Sequence, residues 1–162
     1  MLPETSKKET TAEESTRIYK IGAVARKLGI AVGTVRLYEA RGLILVQRTS
    51  TKQRYYDDSD IQRLACIQKL IKRHGLNIEG ICRLAALLPC WNIHECPDDL
   101  VKQCRAIRWS NKPCWATRSG GCKNFDTQTC RSCSVYTAMS DCSQLKKVIY
   151  PRLNELLETP IR

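Results

Sequence analysis

Thr34-Val35-Arg36-Leu37-Tyr38-Glu39-Ala40-Arg41-Gly42-Leu43-Ile44 is the stretch on which the fold turns. Val35 and Tyr38 stand three apart and share one face of a helix, while Thr34, Arg36 and Arg41 place hydrogen-bond donors on its other sides. Gly42 follows where such a helix must end. Upstream, Ile21, Val24, Ala25 and Leu28 recur at helical spacing, and Gly29 closes this first, shorter helix. Ile30-Ala31-Val32-Gly33 is left as a tight turn. Two short helices about such a turn have helix-turn-helix proportions, and the polar second helix suits a major groove.

Downstream, Leu43-Ile44-Leu45-Val46 and Arg54-Tyr55-Tyr56 read as strands on either side of a polar stretch, Arg48, Thr49, Ser50, Thr51, Lys52 and Gln53. A hairpin with so cationic a tip is a wing suited to phosphate contact rather than to core packing. Asp57-Asp58-Ser59-Asp60 sets carboxylates at a helix start, where they complement the dipole. Ile61, Leu64, Ala65, Ile67, Leu70 and Ile71 then carry that helix to His74-Gly75. Asn77 caps a further helix through Ile78, Ile81, Leu84, Ala85, Leu87 and Leu88, and Pro89 stops it.

The 162 residues suffice for one ordinary domain or two small ones and exclude a large multidomain enzyme. Lys plus Arg number 27 against 16 Asp plus Glu, a formal charge of +11 that favours a polyanionic partner. The excess is concentrated: residues 17–76 hold thirteen cations against four carboxylates, and residues 77–162 hold twelve against eight. Residues 1–16, with four Glu, two Lys and little apolar surface, read as a disordered tail. No apolar run approaches the roughly 18 residues of a spanning helix, and the acidic, polar start is unlike a signal peptide, so no membrane partner is expected. There is no hydrolytic triad, phosphate-binding glycine loop or pair of catalytic carboxylates, and an enzyme is not expected.

Tyr19-Lys20-Ile21-Gly22, Val35 to Ile44, Gln53-Arg54-Tyr55-Tyr56 and Asp60-Ile61-Gln62-Arg63-Leu64, in this order and spacing, resemble a MerR-family DNA-binding domain over about residues 17–88. Two departures concern operator details: Leu37 stands where an aromatic is common, and Lys52-Gln53 replaces a glycine-containing wing tip. The resemblance implies base or phosphate contacts from Arg36 and Tyr38 on the recognition helix and from Arg54 and Tyr56 on the wing. Thr34 and Arg41 are further DNA-facing candidates. It also implies a homodimer on a twofold, double-stranded operator, RNA polymerase at the same promoter, effector-dependent distortion of promoter DNA, and a location in the bacterial cytoplasm.

Nine of the ten cysteines fall in the second half: Cys82, Cys90, Cys96, Cys104, Cys114, Cys122, Cys130, Cys133 and Cys142. In a reducing compartment this density points to metal or redox chemistry rather than to a disulfide scaffold. Pro97-Asp98-Asp99 starts a helix that runs to about Trp109, residues 110–134 have the composition of a loop with little but ligands to order it, and a last helix runs from Ser140 to Glu158 with a kink at Pro151. Cys114-x7-Cys122-x7-Cys130-x2-Cys133 is the leading ligand set, and Cys90-x5-Cys96-x7-Cys104 is a second. Three or four sulfurs suit an iron–sulfur cluster or zinc, and Trp91 and Trp115 beside cysteines favour the shielded cluster. Cys66 and Cys82, on apolar helix faces, are expected to be small buried hydrophobes, and His94 to be solvated. Pro89-Cys90-Trp91 and Pro113-Cys114-Trp115 are similar to the cysteine-rich two-CW modules of bacterial signalling proteins, over about residues 89–136.

The expected protein is mainly α: a winged helix-turn-helix DNA-binding domain at residues 17–88, then a cysteine-rich helical and loop effector and dimerisation region at residues 89–162. Its expected function is transcription regulation in response to redox state, gas or metal at a cysteine-ligated iron–sulfur cluster. The alternatives are a zinc-folded architectural or excisionase-like DNA-binding protein and a thiol-disulfide oxidoreductase using Cys130-Arg131-Ser132-Cys133. The last lacks the βαβ context that would support it.

Overall fold

The computed structural model describes residues 17–94, 96–117, 127–143 and 145–150. The expected tail at residues 1–16, Cys122 and the last helix beyond Tyr150 lie outside them. Helix α1 (Ile21–Leu28) and helix α2 (Val32–Ala40) form the helix-turn-helix. Val24, Ala25, Val35 and Tyr38 are buried between them, as the periodicity requires. The turn is tighter than Ile30 to Gly33, because Val32 and Gly33 already belong to α2. Helix α3 (Asp58–His74) starts on a capping box: the Asp57 carboxylate accepts from the Asp60 N–H, and the Asp60 carboxylate accepts from the Asp57 N–H. Helix α4 (Ile78–Ala86) is capped by the Asn77 side chain on the Gly80 N–H at 2.7 Å.

The wing is shorter than expected. Strand β1 (Gln47–Arg48) pairs antiparallel with β2 (Arg54–Tyr55), Arg48 facing Arg54, and Lys52 takes a left-handed φ of 61° at the tip, where a glycine would sit without strain. Leu43 to Val46 is no strand. Its neighbourhood gives the backbone to side chains instead: Trp115 Nε1 donates to Gly42 O at 2.9 Å, Arg63 Nε to Leu43 O at 2.8 Å, the Leu45 N–H to the Tyr136 hydroxyl at 2.9 Å, and Arg131 to Leu45 O at 2.6 Å. Three of these four side chains come from the cysteine-rich half.

That half is a succession of short helices: α5 (Cys90–Ile93), α6 (Asp98–Gln103), α7 (Arg105–Trp109), α8 (Cys114–Thr117), α9 (Thr127–Ser132), α10 (Ser134–Thr137) and α11 (Leu145–Ile149). The single helix expected from Asp98 to Trp109 is broken at Cys104, whose extended backbone turns a buried thiol inward. The expected loop at 110–134 holds two short helices among its described residues, α8 and α9, with Ser110 to Pro113 and Cys133 outside them. Its order has an apolar source, since Trp115, Val135, Tyr136, Met139 and Leu145 join Val35, Leu43, Ile44, Leu64 and Ile81 in one buried cluster. The last helix begins only at Leu145, because Asp141 accepts from Ser143 in a turn.

Packing at the junction is close. Gly42, at φ 72°, sits against α8 so tightly that a Cβ there would lie 2.6 Å from the Ala116 Cβ. Arg63, 2% exposed, lies in the middle of the cluster with its guanidinium 3.7 Å from the Tyr136 ring centre and 5.2 Å from that of Trp115, the two rings meeting edge to face. Burial lowers its pKa, and the carbonyls of Leu43 and Tyr136 and the two π faces take up its charge. Tyr136→Phe keeps the ring and removes the acceptor, leaving the Leu45 N–H without its partner. Urea unfolding is expected to register a loss of about 1–3 kcal/mol. An unchanged midpoint would show that the Leu45 bond contributes nothing.

Candidate nucleic-acid interface and cysteine cavity

Between α2 and the wing lies an open groove of about 680 Å³, lined by Arg36, Glu39, Ala40, Arg48, Arg54 and Tyr55, and on its far side by Thr127 and Gln128 of α9. Arg36 and Arg41 are exposed and Thr34 is half-buried. Glu39 accepts from Arg54 Nε at 2.8 Å and from Arg48 NH2 at 3.2 Å, so one carboxylate of the recognition helix aims two wing cations. The result is a set of arginines on two adjacent elements, an arrangement whose charge and spacing could take a polyanion.

The two tyrosines expected on this surface are elsewhere. Tyr38 is 2% exposed and accepts from Gln68 Nε2 at 2.8 Å; Tyr56 is fully buried, and its hydroxyl has no hydrogen-bond partner among the described residues. Burial, aided by Glu39, pushes the Tyr56 phenol up to about 12. Both are packing residues under the groove. The reason is spacing: position 38 shares the face of Val35, and Tyr56 is tied by its backbone to Tyr19 in both directions, at 2.7 and 3.0 Å.

The cysteines converge differently from either spacing set. Cys90, Cys96, Cys104, Cys114 and Cys133 line one small cavity of about 30 Å³, with His94 and the apolar walls Leu100, Val101, Ile107 and Val135. The second set thus meets two members of the first. Cys130 does not line the cavity and packs against the common core, and Cys122 is outside the described residues. Cys133 Sγ stands 3.9 Å from His94 Nδ1, so this histidine is on the cavity rather than in solvent. Burial, with Cys104 and Cys133 nearby, raises the Cys96 pKa. Among the described residues no three His, Cys, Asp or Glu side chains stand in a geometry that would hold a metal ion. The donors are soft and their walls apolar, the chemistry that a thiophilic ion takes, although they do not stand in binding geometry here; the volume is near that of a water or two and too small for a cluster in this conformation.

Cys66 and Cys82 are buried on α3 and α4, as their apolar faces imply. Cys66 hydrogen-bonds with Cys142 of the cysteine half, and burial, then that neighbour, push its thiol up to about 12.

Residues not singled out by sequence hold the two parts together. Arg131, between Cys130 and Cys133, is buried and pairs with Asp60 and with Asp57 Oδ2 at 2.7 Å. Burial raises the Asp60 pKa against the pull of Arg131. At Asp57 burial also acts upward, but hydrogen bonds from Ser59 and the Asp60 N–H, and then Arg131, leave the carboxyl below its ordinary value. Removing Arg131 alone would leave Asp60 buried and unpaired, a cost of about 3–5 kcal/mol. The legible signal was on α3, where Asp60 and Arg63 interrupt an otherwise apolar stripe. Nothing in the spacing marks Arg131.

These features define a winged helix-turn-helix domain. Residues 19–88 match the family of MerR HTH regulatory proteins, and this part of the chain is a MerR-family domain. The chain is 35% identical over 74 residues to a protein described as the heat shock protein HspR of Streptomyces coelicolor, covering 46% of this chain and 49% of that one. It is 49% identical over 49 residues to an HTH-type transcriptional regulator, a ZntR homolog, of Haemophilus influenzae (30% and 36%). It is 36% identical over 77 residues to an HTH-type transcriptional activator, a SoxR homolog, of Chromobacterium violaceum (48% and 50%). The chain therefore spans about half or less of the curated relatives it matches. A crystal structure of HiNmlR, a MerR family regulator lacking the sensor domain and bound to promoter DNA, is similar at 32% identity over 54% of this chain and 61% of that one, with a TM-score of 0.40. No helix among the described residues is long and apolar enough to cross a membrane. The family match ends at Leu88, and the likeness of residues 89–136 to two-CW modules rests on the sequence alone.

A raised thiol pKa means that folded Cys66 keeps its proton to higher pH than the unfolded chain, whose ordinary value is 9.0. Its contribution to stability is intact below about pH 9 and is lost as pH climbs toward 12. The native protein at pH 8 is therefore expected to leave Cys66 unalkylated by iodoacetamide after Cys133 has reacted, read by peptide mass spectrometry. Equal labelling would show that Cys66 is accessible and ionised.

Proposed function

We propose that the protein is a bacterial, cytoplasmic transcription regulator that binds double-stranded promoter DNA as a homodimer and acts with RNA polymerase there. The observation that carries the reading is the groove between α2 and the wing, in which Arg36, Arg48 and Arg54 project from a MerR-family domain. The recognition helix presents Thr34, Arg36 and Arg41 to the base edges, and Arg48 and Arg54 take phosphates across the groove. Tyr38 and Tyr56 support that surface from below.

The input is the cysteine cavity. Its contents would be a thiolate-bound group: the soft donors and small volume favour zinc or another thiophilic ion once the sulfurs close on it, and an iron–sulfur cluster would require the cavity to open. Cys90, Cys96, Cys104, Cys114 and Cys133, with His94, would hold it, and Cys130 and Cys122 are the reserve donors. Such a group would supply redox or metal sensitivity, and the chain's own residues do the rest, excluding water with Leu100, Val101, Ile107 and Val135. The reading is favoured over a metal that only folds a tail, because the cysteine half already has an apolar core shared with the wing.

Arg36→Ala or Arg54→Ala is expected to weaken binding to a duplex selected from random DNA by the wild type about tenfold, and the salt slope of the Arg54 variant to fall by about one. Bound metal, measured after anaerobic purification, should be unchanged. Loss of metal with intact DNA affinity would reverse this division of roles. A wild-type complex indifferent to salt would remove the wing from the interface.

A further inference from the structure

We propose that Arg131 is a positioning residue for the wing, and that it passes the state of the cysteine cavity to the DNA-binding groove. The inference rests on the reading that the cavity takes a thiophilic ligand. Its support is where the Arg131 fork ends. One nitrogen donates to Leu45 O at 2.6 Å and to Asp60, the other to Asp57 Oδ2 at 2.7 Å and weakly to Ser59 at 3.5 Å. Leu45 lies two residues before β1, and Asp57 two residues after β2 ends. Arg131 therefore holds the roots of both wing strands and the cap of α3 with one group. Asp57 Oδ2 accepts as well from Gln47 Nε2 at 3.0 Å, so the tie reaches into β1 itself.

Two residues further on, the same chain belongs to the cavity. Cys133 lines it beside His94, and Ser134 Oγ donates to Ile93 O at 3.1 Å, which pins the start of α10 to α5. Between Arg131 and Cys133 there is no more than about 7 Å of chain, drawn into a turn by the Cys133 N–H on Cys130 O at 3.3 Å. So short a link has little slack. A Cys133 sulfur drawn inward onto a ligand together with its backbone would carry Arg131 with it, and a guanidinium shift of about 1 Å would stretch bonds that now stand at 2.6 and 2.7 Å beyond hydrogen-bond range. The roots of β1 and β2 are then released together, and Arg48 and Arg54 lose their setting against Glu39. The ligated state is the one that binds DNA more weakly.

The test uses the full chain, with Cd²⁺ as the thiolate probe. Cd²⁺ binding is read from its sulfur-to-metal charge-transfer absorption, and DNA affinity from fluorescence anisotropy on the selected duplex. In wild type, Cd²⁺ is expected to weaken DNA binding at least about fivefold. Arg131→Met should bind Cd²⁺ with the same absorption and show less than a twofold change. Arg131→Lys, which keeps the charge without the fork, covers the case in which the methionine variant does not fold, and it should show the same loss of response. Tyr136→Phe, which weakens the same junction off the Cys133 path, should keep the wild-type ratio. Arg131 variants that bind Cd²⁺ and retain the full response overturn the proposal alone. A wild type with no Cd²⁺ absorption, or with bound Cd²⁺ and unmoved DNA affinity, overturns the cavity reading on which it rests.

Discussion

The backbone between Gly42 and Leu45 carries the connection from the recognition helix to the wing, and it makes no ladder of its own. Its polar groups are buried at Leu43 and half-buried at Gly42 and Leu45, and a buried amide or carbonyl left alone costs about 1–3 kcal/mol. Trp115, Arg63, Tyr136 and Arg131 each satisfy one of them. Much of the rest follows from that constraint. Arg63 has to be buried to reach Leu43, so Trp115 and Tyr136 must stack on its guanidinium. Arg131 has to be buried to reach Leu45, so Asp57 and Asp60 must face it, and these same two carboxylates then close the capping box that starts α3.

The consequence is that the cysteine-rich half is part of the DNA-binding half's scaffold. Its short helices would be marginal alone, since helices of four to six residues gain little from their own hydrogen bonds. They are ordered by putting Trp115, Val135, Tyr136 and Met139 into the cluster that already holds Val35, Leu43 and Leu64. A regulatory input placed in such helices, as proposed above, would act at the wing without a long relay. The cavity and the wing root share the turn from Cys130 to Cys133.

What was legible in the sequence was local. Both helices of the helix-turn-helix, the Asp57 and Asn77 caps and the cationic wing tip follow from periodicity, capping chemistry and charge, all properties of neighbours along the chain. The strand expected at Leu43 to Val46 fails on context: an apolar run reads as sheet, yet the side chains that pair with the Leu45 backbone, Arg131 and Tyr136, lie 86 and 91 residues away. Tyr38 and Tyr56 were read as contacts because tyrosine serves both surface and core, and only packing separates the two roles. Cysteine spacing separates two runs, whereas the cavity lining depends on how the short helices pack, which brings Cys90, Cys96 and Cys104 beside Cys114 and Cys133.

Bonds from Arg131 and Tyr136 at Leu45 should hold the wing root to the cysteine half as firmly as the core holds itself. Residue-resolved amide hydrogen exchange tests this most directly, because the Leu45 N–H donates, among the described residues, to a side chain 91 residues away. The Leu45 amide is expected to exchange only with global unfolding, with a protection matching that of Val35 and Leu64 in the helices. A Leu45 amide that exchanges at the rate of an open loop, while α2 and α3 stay protected, would contradict it.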